Sequence, residues 1–272
     1  MQKTVMRTGI KSDIALVRSL REKKGRIAHG LFVAEGEKLV TELLASDFSV
    51  VRLFVAESFG RKAEQLVRSL SAHRNLAIEV VSVAEMERLS HLKTPAQVVA
   101  LAAIPHYDFP EEPGSELTFV LDGVQDPGNL GTIIRIADWF GIRDIICSPQ
   151  SADCFNPKVV QATMGSILRV RTHYTNLPPL LKDAAARGSA IYGSFLEGEN
   201  LHTADLGDNV SGIIVMGSEG RGIGPEAASA ITRKLYIPSY PPETTASESL
   251  NVAVATAIVC AEFRRRCHEI TP

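Results

Sequence analysis

Residues 121–141, LDGVQDPGNLGTIIRIADWFG, limit the possible folds of this chain more than any other stretch. The apolar run over 118–124 suits a buried strand of a parallel sheet. Residues 125–129 follow with Pro127 and Gly128, which interrupt regular structure. Beyond them Leu130, Ile133, Ile134 and Ala137 recur at i, i+3, i+4 and i+7, one face of a helix. Asn129 is the predicted N-cap of that helix and Gly141 the predicted left-handed residue that ends it. Strand, tight polar loop and helix in succession form the repeating unit of an open parallel sheet. Ligands of such sheets bind at the carboxyl ends of strands, which is where Asn129 stands. Arg135 lies well inside the helix and adds nothing to its apolar face.

The same alternation runs through the chain. Residues 12–26 have the period of one amphipathic helix, with Ile14, Val17 and Leu20 or Leu16 on its apolar face. Arg18, Arg21, Lys23, Lys24 and Arg26 occupy the rest. Strands are predicted over 31–34, 50–55, 77–81 and 98–103, and helices over 36–45, 61–72 and 83–91. This describes a small α/β domain over 1–106. Residues 107–115, with two prolines, a glycine and acidic side chains, read as a linker. A second α/β domain over 116–272 follows, with strands at 144–147, 168–173, 190–196, 212–216 and 235–238. Its helices are predicted at 157–164, 177–187 and 251–266. Arg264, Arg265 and Arg266 suit the negative end of the last helix.

Composition narrows the class. An apolar fraction of 45% with 22% charged residues is that of a soluble globular protein. No apolar run approaches the length of a membrane span, and the first residues lack the apolar core of a secretion signal. Cys147, Cys154, Cys260 and Cys267 have no CxxC pairing, so neither zinc ligation nor a disulfide framework is indicated, and a cytoplasmic protein with reduced thiols is expected. The net charge of −2 conceals an asymmetry. Residues 1–106 hold 16 Lys+Arg against 11 Asp+Glu, a net of +5, whereas the remainder holds 13 against 20, a net of −7. A basic smaller half fits a module that faces a polyanion.

Two later stretches share the strand–loop–helix form. Residues 213–224, IIVMGSEGRGIG, place Gly217, Gly220, Gly222 and Gly224 after an apolar strand, with Glu219 among them. Glycines there let the backbone approach a ligand closely. The loop is neither GxxxxGK[ST] nor GxGxxG followed by an acidic residue about 20 positions on. Residues 236–254, YIPSYPPETTASESLNVAV, set Ser249 and Asn251 around Leu250 at a helix start, where either can cap the helix.

The three stretches in this order resemble the SpoU/TrmH family of RNA ribose 2′-O-methyltransferases, of the SPOUT class. Asn129 and Arg135 in NLGTIIR match the first family motif, and Gly217-Ser218-Glu219-Gly220 the second. Ile237-Pro238 followed by Ser249-Leu250-Asn251-Val252 matches the third. A looser likeness, Gly30-Leu31-Phe32-Val33-Ala34-Glu35-Gly36, links the first domain to the family's RNA-binding module. The loop over 239–248 departs from the pattern, being longer and carrying prolines where the family has glycine.

The resemblance implies a SPOUT-type α/β catalytic domain with a parallel sheet and a trefoil knot, behind a smaller N-terminal α/β RNA-binding domain. It implies S-adenosylmethionine as cofactor, held by Gly217, Ile237 and Leu250 with Ser249 close by. It also implies a homodimer with the last helix in the interface. Structured RNA is the implied substrate, ribosomal before transfer RNA. Arg135, Asn129, Glu219 and Asn251 are the implied catalytic residues, and no metal is expected. The resemblance implies Arg135 as a base, but an arginine is not readily deprotonated in a protein, so the favoured role is a fixed cation that stabilises the developing alkoxide, with literal proton abstraction as the alternative. Asn129, Glu219 and Asn251 would orient it and the ribose. Two rival readings are a non-catalytic RNA-binding protein that keeps this fold, and another α/β enzyme binding a nucleotide at a glycine-rich loop. A bare scaffold needs none of the four catalytic candidates, and the second rival lacks its phosphate-binding lysine.

Overall fold

The computed structural model describes residues 9–59, 62, 76, 78–206, 211–240 and 249–266. They form two units, the first comprising residues 1–106 and 153–168, the second residues 107–152 and 169–272.

The first unit opens with α1 (Ile10–Ser19) and α2 (Lys23–His29), where the sequence period predicts one continuous helix. Gly25 is the reason for the break. A Cβ at this position would stand 2.0 Å from the Ser19 carbonyl oxygen, so only glycine lets α2 turn back against the end of α1. The carbonyls of Leu20 and Arg21, left without helical partners at the corner, accept from Arg26 Nη1 at 2.7 and 2.8 Å. Arg26 is therefore interior, only 2% exposed, and not one of the surface cations that the helical period suggests.

The remaining elements are β1 (Leu31–Glu35), α3 (Glu37–Ala45), β2 (Val50–Ala56), β3 (Ile78–Val81), α4 (Val83–Leu89) and β4 (Val98–Ala103). The sheet order is β1-β4-β2-β3, with β4 antiparallel to both neighbours and β2 parallel to β3. Ile14, Val17 and Leu20 meet Phe54, Leu89, Val99 and Leu101 in its core. Each such burial contributes roughly 1.5–3 kcal/mol. Glu35 is buried at the end of β1 and accepts from the Ser90 hydroxyl at 2.6 Å and the His91 amide at 3.0 Å, which ties down the turn after α4. Apart from Lys62, the helix predicted over 61–72 lies outside the described residues.

The second unit holds β5 (Thr118–Asp122), α5 (Pro127–Trp139) and β6 (Asp144–Cys147). The chain then leaves it. Residues 153–168, with α6 (Pro157–Ala162), pack in the first unit although sequence order assigns them to the second domain. Asp153 accepts from Arg26 Nε at 2.9 Å and Nη2 at 2.5 Å, and Phe155 packs on Phe32 with ring centroids 4.9 Å apart. The chain returns through β7 (Arg171–Tyr174), α7 (Leu177–Ala186), β8 (Ile191–Phe195), β9 (Glu199–Asn200) and β10 (Ile213–Gly217). It ends with α8 (Pro225–Ala228), β11 (Arg233–Tyr236) and α9 (Val252–Arg266). The seven strands are all parallel, in the order β7-β6-β5-β10-β8-β11-β9, as the fold class requires. β9 and α8 are too short to leave a periodic signal.

The α9 arginines do more than face a helix dipole. Arg264 Nε donates to the Phe140 carbonyl at the end of α5 at 2.8 Å. Arg265 and Arg266 both hold Glu262, and Arg266 reaches the carbonyls of Leu201, His202 and Ala204. Donation from Arg265, joined by Arg266, holds the Glu262 carboxyl down at about 2 against an ordinary 4.5. A depressed carboxyl stabilises the fold above its unfolded pKa and loses that contribution as pH falls towards its folded one. Thermal melts should therefore lose stability between about pH 4.5 and 2 more steeply in the wild type than in Glu262→Gln. Parallel pH curves for the two proteins would show that the cluster contributes nothing.

Candidate active site

The first loop is capped one turn earlier than its sequence suggests. Asp126, not Asn129, is the N-cap of α5: its Oδ1 accepts from the Asn129 amide at 2.8 Å, and Pro127 fills the first helical position. Asn129 thus stands inside the first turn with its side chain available for other work. Gly141, at φ +68°, closes the helix as expected.

That work is visible in the hydrogen bonds. Asn129 Nδ2 donates to Glu219 Oε1, and Asn129 Oδ1 accepts from Asn251 Nδ2 at 2.9 Å. Asn251 Oδ1 in turn accepts from the amides of Ala253 at 3.0 Å and Val254 at 3.3 Å, so Asn251 is the residue that caps α9. The amide of Asn129 uses a donor towards one loop and an acceptor towards another, which fixes its orientation. Three residues from three separate strand–loop–helix units, 90 and 122 positions apart in pairs, form one polar chain at the carboxyl edge of the sheet.

Arg135 is outside this chain. It lies six residues along α5 from Asn129, about 9 Å further along the axis. It is exposed and makes no hydrogen bond or ion pair among the described residues. Thr132 and Trp139, one turn to either side, are exposed on the same stripe.

The glycine loop after β10 is built differently from a simple open cradle. A Cβ on Gly217 would sit 2.1 Å from the Gly222 carbonyl carbon and 2.3 Å from the Ile223 nitrogen. Gly217 is therefore needed so that the loop can fold back on its own strand. Ser218 and Gly222 pair across the loop, and a Cβ on Gly220 or Gly222 would meet nothing within 4 Å. The open backbone is at Gly220 and Gly222. Ile237 is half-buried just past β11, while Ser249 and the 47%-exposed Leu250 precede the α9 cap. Exposed loop backbone and partly exposed apolar side chains are what a nucleoside-bearing cofactor needs, polar backbone partners and an apolar wall. The prolines of the longer loop lie at 241–242, outside the described residues.

Sequence reasoning missed Asp122 and Asp126, although both frame the loop in LDGVQDP. Asp122 Oδ2 accepts from the Gly224 amide at 2.8 Å, and Gly123 donates its amide to Ser148 Oγ at 2.9 Å. No cluster of His, Cys, Asp and Glu among the described residues could hold a metal ion.

Known proteins resemble this chain over most of its length. The model of the SpoU rRNA Methylase family matches residues 116–261, and that of an MRM3-like substrate binding domain matches residues 11–100. A 23S rRNA (guanosine(2553)-2′-O)-methyltransferase, RlmP of Bacillus subtilis, is 29% identical over 91% of this chain and 94% of its own length. A TrmH-family RNA methyltransferase structure from Porphyromonas gingivalis is 40% identical, with a TM-score of 0.82 over 96% of this chain and all of that one. An AdoMet-bound rRNA methyltransferase from Sinorhizobium meliloti is 27% identical, with a TM-score of 0.81 over 98% of each chain. A family match that takes in all three loops, with relatives aligned over nearly their whole length, leaves one assignment: this chain belongs to the SpoU rRNA methylase family.

Proposed function

We propose that this protein methylates a ribose 2′-hydroxyl of structured RNA, ribosomal RNA before transfer RNA, using S-adenosylmethionine. The observation that carries the reading is the Glu219–Asn129–Asn251 chain, because a purely structural loop cluster has no need to join three motif residues side chain to side chain. When bound, the cofactor supplies an electrophilic methyl group. The protein must then hold the ribose in line, accept the loss of a poorly acidic proton and stabilise the oxygen as it gains negative charge. Holding the two reactants together is worth about 7–11 kcal/mol. Arg135, exposed and unpaired among the described residues, is the cation for the developing charge, and Glu219, Asn129 and Asn251 orient the ribose. Gly217, Ile237, Ser249 and Leu250 surround the cofactor. The basic excess of residues 1–106 supports RNA binding by the first domain, before a linker at 107–115 and the catalytic domain of 116–272.

The reading extends to assembly, topology and location. α9 packs on α5, and the two helices leave Val254 49% and Trp139 84% exposed, apolar area that suits a homodimer interface. β10 and β11 insert between strands laid down earlier in the chain, an order compatible with a trefoil knot. Cys147, Cys154 and Cys260 are buried thiols, in keeping with the cytoplasm.

Calorimetry should show one S-adenosylmethionine site per chain. Ribosomal RNA from cells lacking the protein should gain one 2′-O-methyl group on incubation with protein and cofactor, read by mass mapping. Light scattering should return the mass of two chains. Absent cofactor binding would overturn the enzyme reading, methylation confined to transfer RNA would overturn the substrate, and a monomer would overturn the assembly.

A further inference from the structure

The loop after β5 and the loop after β10 meet at three places. Asp122 Oδ2 accepts from the Gly224 amide at 2.8 Å, a Cβ on Gly123 would lie 3.8 Å from Ser218 Cβ, and Asn129 donates to Glu219. The two hydrogen bonds stand at opposite ends of the paired loops, so residues 122–129 and 219–224 close into a ring. The β5 side of this ring is anchored from below. Ser148 Oγ, buried after β6, accepts from the Gly123 amide at 2.9 Å and lies 3.2 Å from Ser151 Oγ, which donates to the Leu121 carbonyl. Anchoring one loop and tying the other to it leaves Glu219 little freedom to move away from Asn129.

We propose that Asp122 is a positioning residue for methyl transfer, acting through the Gly224 amide to hold the Glu219 loop in register with Asn129. This rests on the function proposed above. Its role is to accept one hydrogen bond, and its negative charge is incidental. Asparagine, which keeps an acceptor oxygen, should therefore serve in its place. The same tie can also be cut from the other end. Gly224 has φ −61° and ψ 149°, angles that proline adopts ahead of Pro225, and a proline has no amide proton to donate and also crowds Asp122 Oδ2, a crowding that alanine at 122 removes.

The test is a double-mutant cycle on the full-length protein, using S-adenosylmethionine and undermethylated ribosomal RNA. Asp122→Ala and Gly224→Pro should each lower kcat about tenfold, with cofactor Kd and RNA KM changed by less than threefold. Because both remove the same bond, the double variant should also lose about tenfold, not a hundredfold. Asp122→Asn should keep kcat within threefold of wild type. The inference fails if Asp122→Ala leaves kcat unchanged, if the two losses multiply, or if Asp122→Asn is as damaged as Asp122→Ala. A wild-type protein without transfer would instead sink the proposed function, so the two failures are told apart by the first assay.

Discussion

Arg135→Ala is expected to lower turnover by about a hundredfold or more while cofactor affinity and folding stay as they are. A fixed cation acting only on charge that develops in the transition state contributes to kcat and not to ground-state binding. Its environment makes the experiment clean. Arg135 is exposed and bonds to no other described residue, so removing it leaves no buried group unsatisfied, and stability should change by no more than about 0.5 kcal/mol. Arg135→Lys then separates two chemistries. Lysine keeps the charge but loses the planar fork, so a positioned cation predicts a large loss for lysine as well. Substantial lysine activity that climbs with pH as the amine deprotonates would favour proton abstraction. Unchanged turnover in Arg135→Ala would return the residue to the ordinary surface.

Arg26→Ala should do the opposite: large damage to stability and no direct effect on RNA contacts. Its guanidinium satisfies two corner carbonyls and the Asp153 carboxylate from a site only 2% exposed. Removing one partner of such a pair typically costs about 3–5 kcal/mol, because the other groups remain without compensation. Melting of the first unit should fall by on the order of 10 °C. Arg18, Arg21, Lys23 and Lys24 are exposed around it, and alanine at any of these should instead weaken RNA binding and flatten its salt dependence by about one phosphate contact. An Arg26→Ala protein that melts normally yet shows the flatter salt slope would reverse the assignment.

These two arginines show what the amino-acid order could and could not reveal. The α5 periodicity stood out because four apolar residues at helical spacing can mean little else. The parallel sheet followed from apolar strands separated by helices. The fate of Arg26 was hidden because its partner Asp153 is 127 positions away, and because a helical projection does not register the corner that Gly25 permits. The α5 cap was misplaced between two good capping residues, although Pro127 already marked Asp126, since proline favours the position directly after the cap. Gly217 was legible as a glycine that something approaches. In the folded chain its own loop approaches it. Glu219 was legible as part of the second family motif, and its bond to Asn129 needed the folded sheet.

The excursion of residues 153–168 has a consequence for how such a protein can be divided or recombined. The polypeptide passes between units after residues 106, 152 and 168, so three peptide crossings join them where a simple tandem arrangement has one. Cleavage within 107–115 would give two fragments, and the C-terminal one would keep residues 153–168, which pack in the first unit, so the N-terminal piece would stay held by packing alone. A gene fragment encoding 107–272 would carry Phe155, Val159 and Val160, all buried in the intact protein, into solvent without the surface that covers them. Grafting this N-terminal module onto another catalytic body therefore means transferring an inserted segment as well, which makes exchange by simple gene fusion the harder evolutionary route.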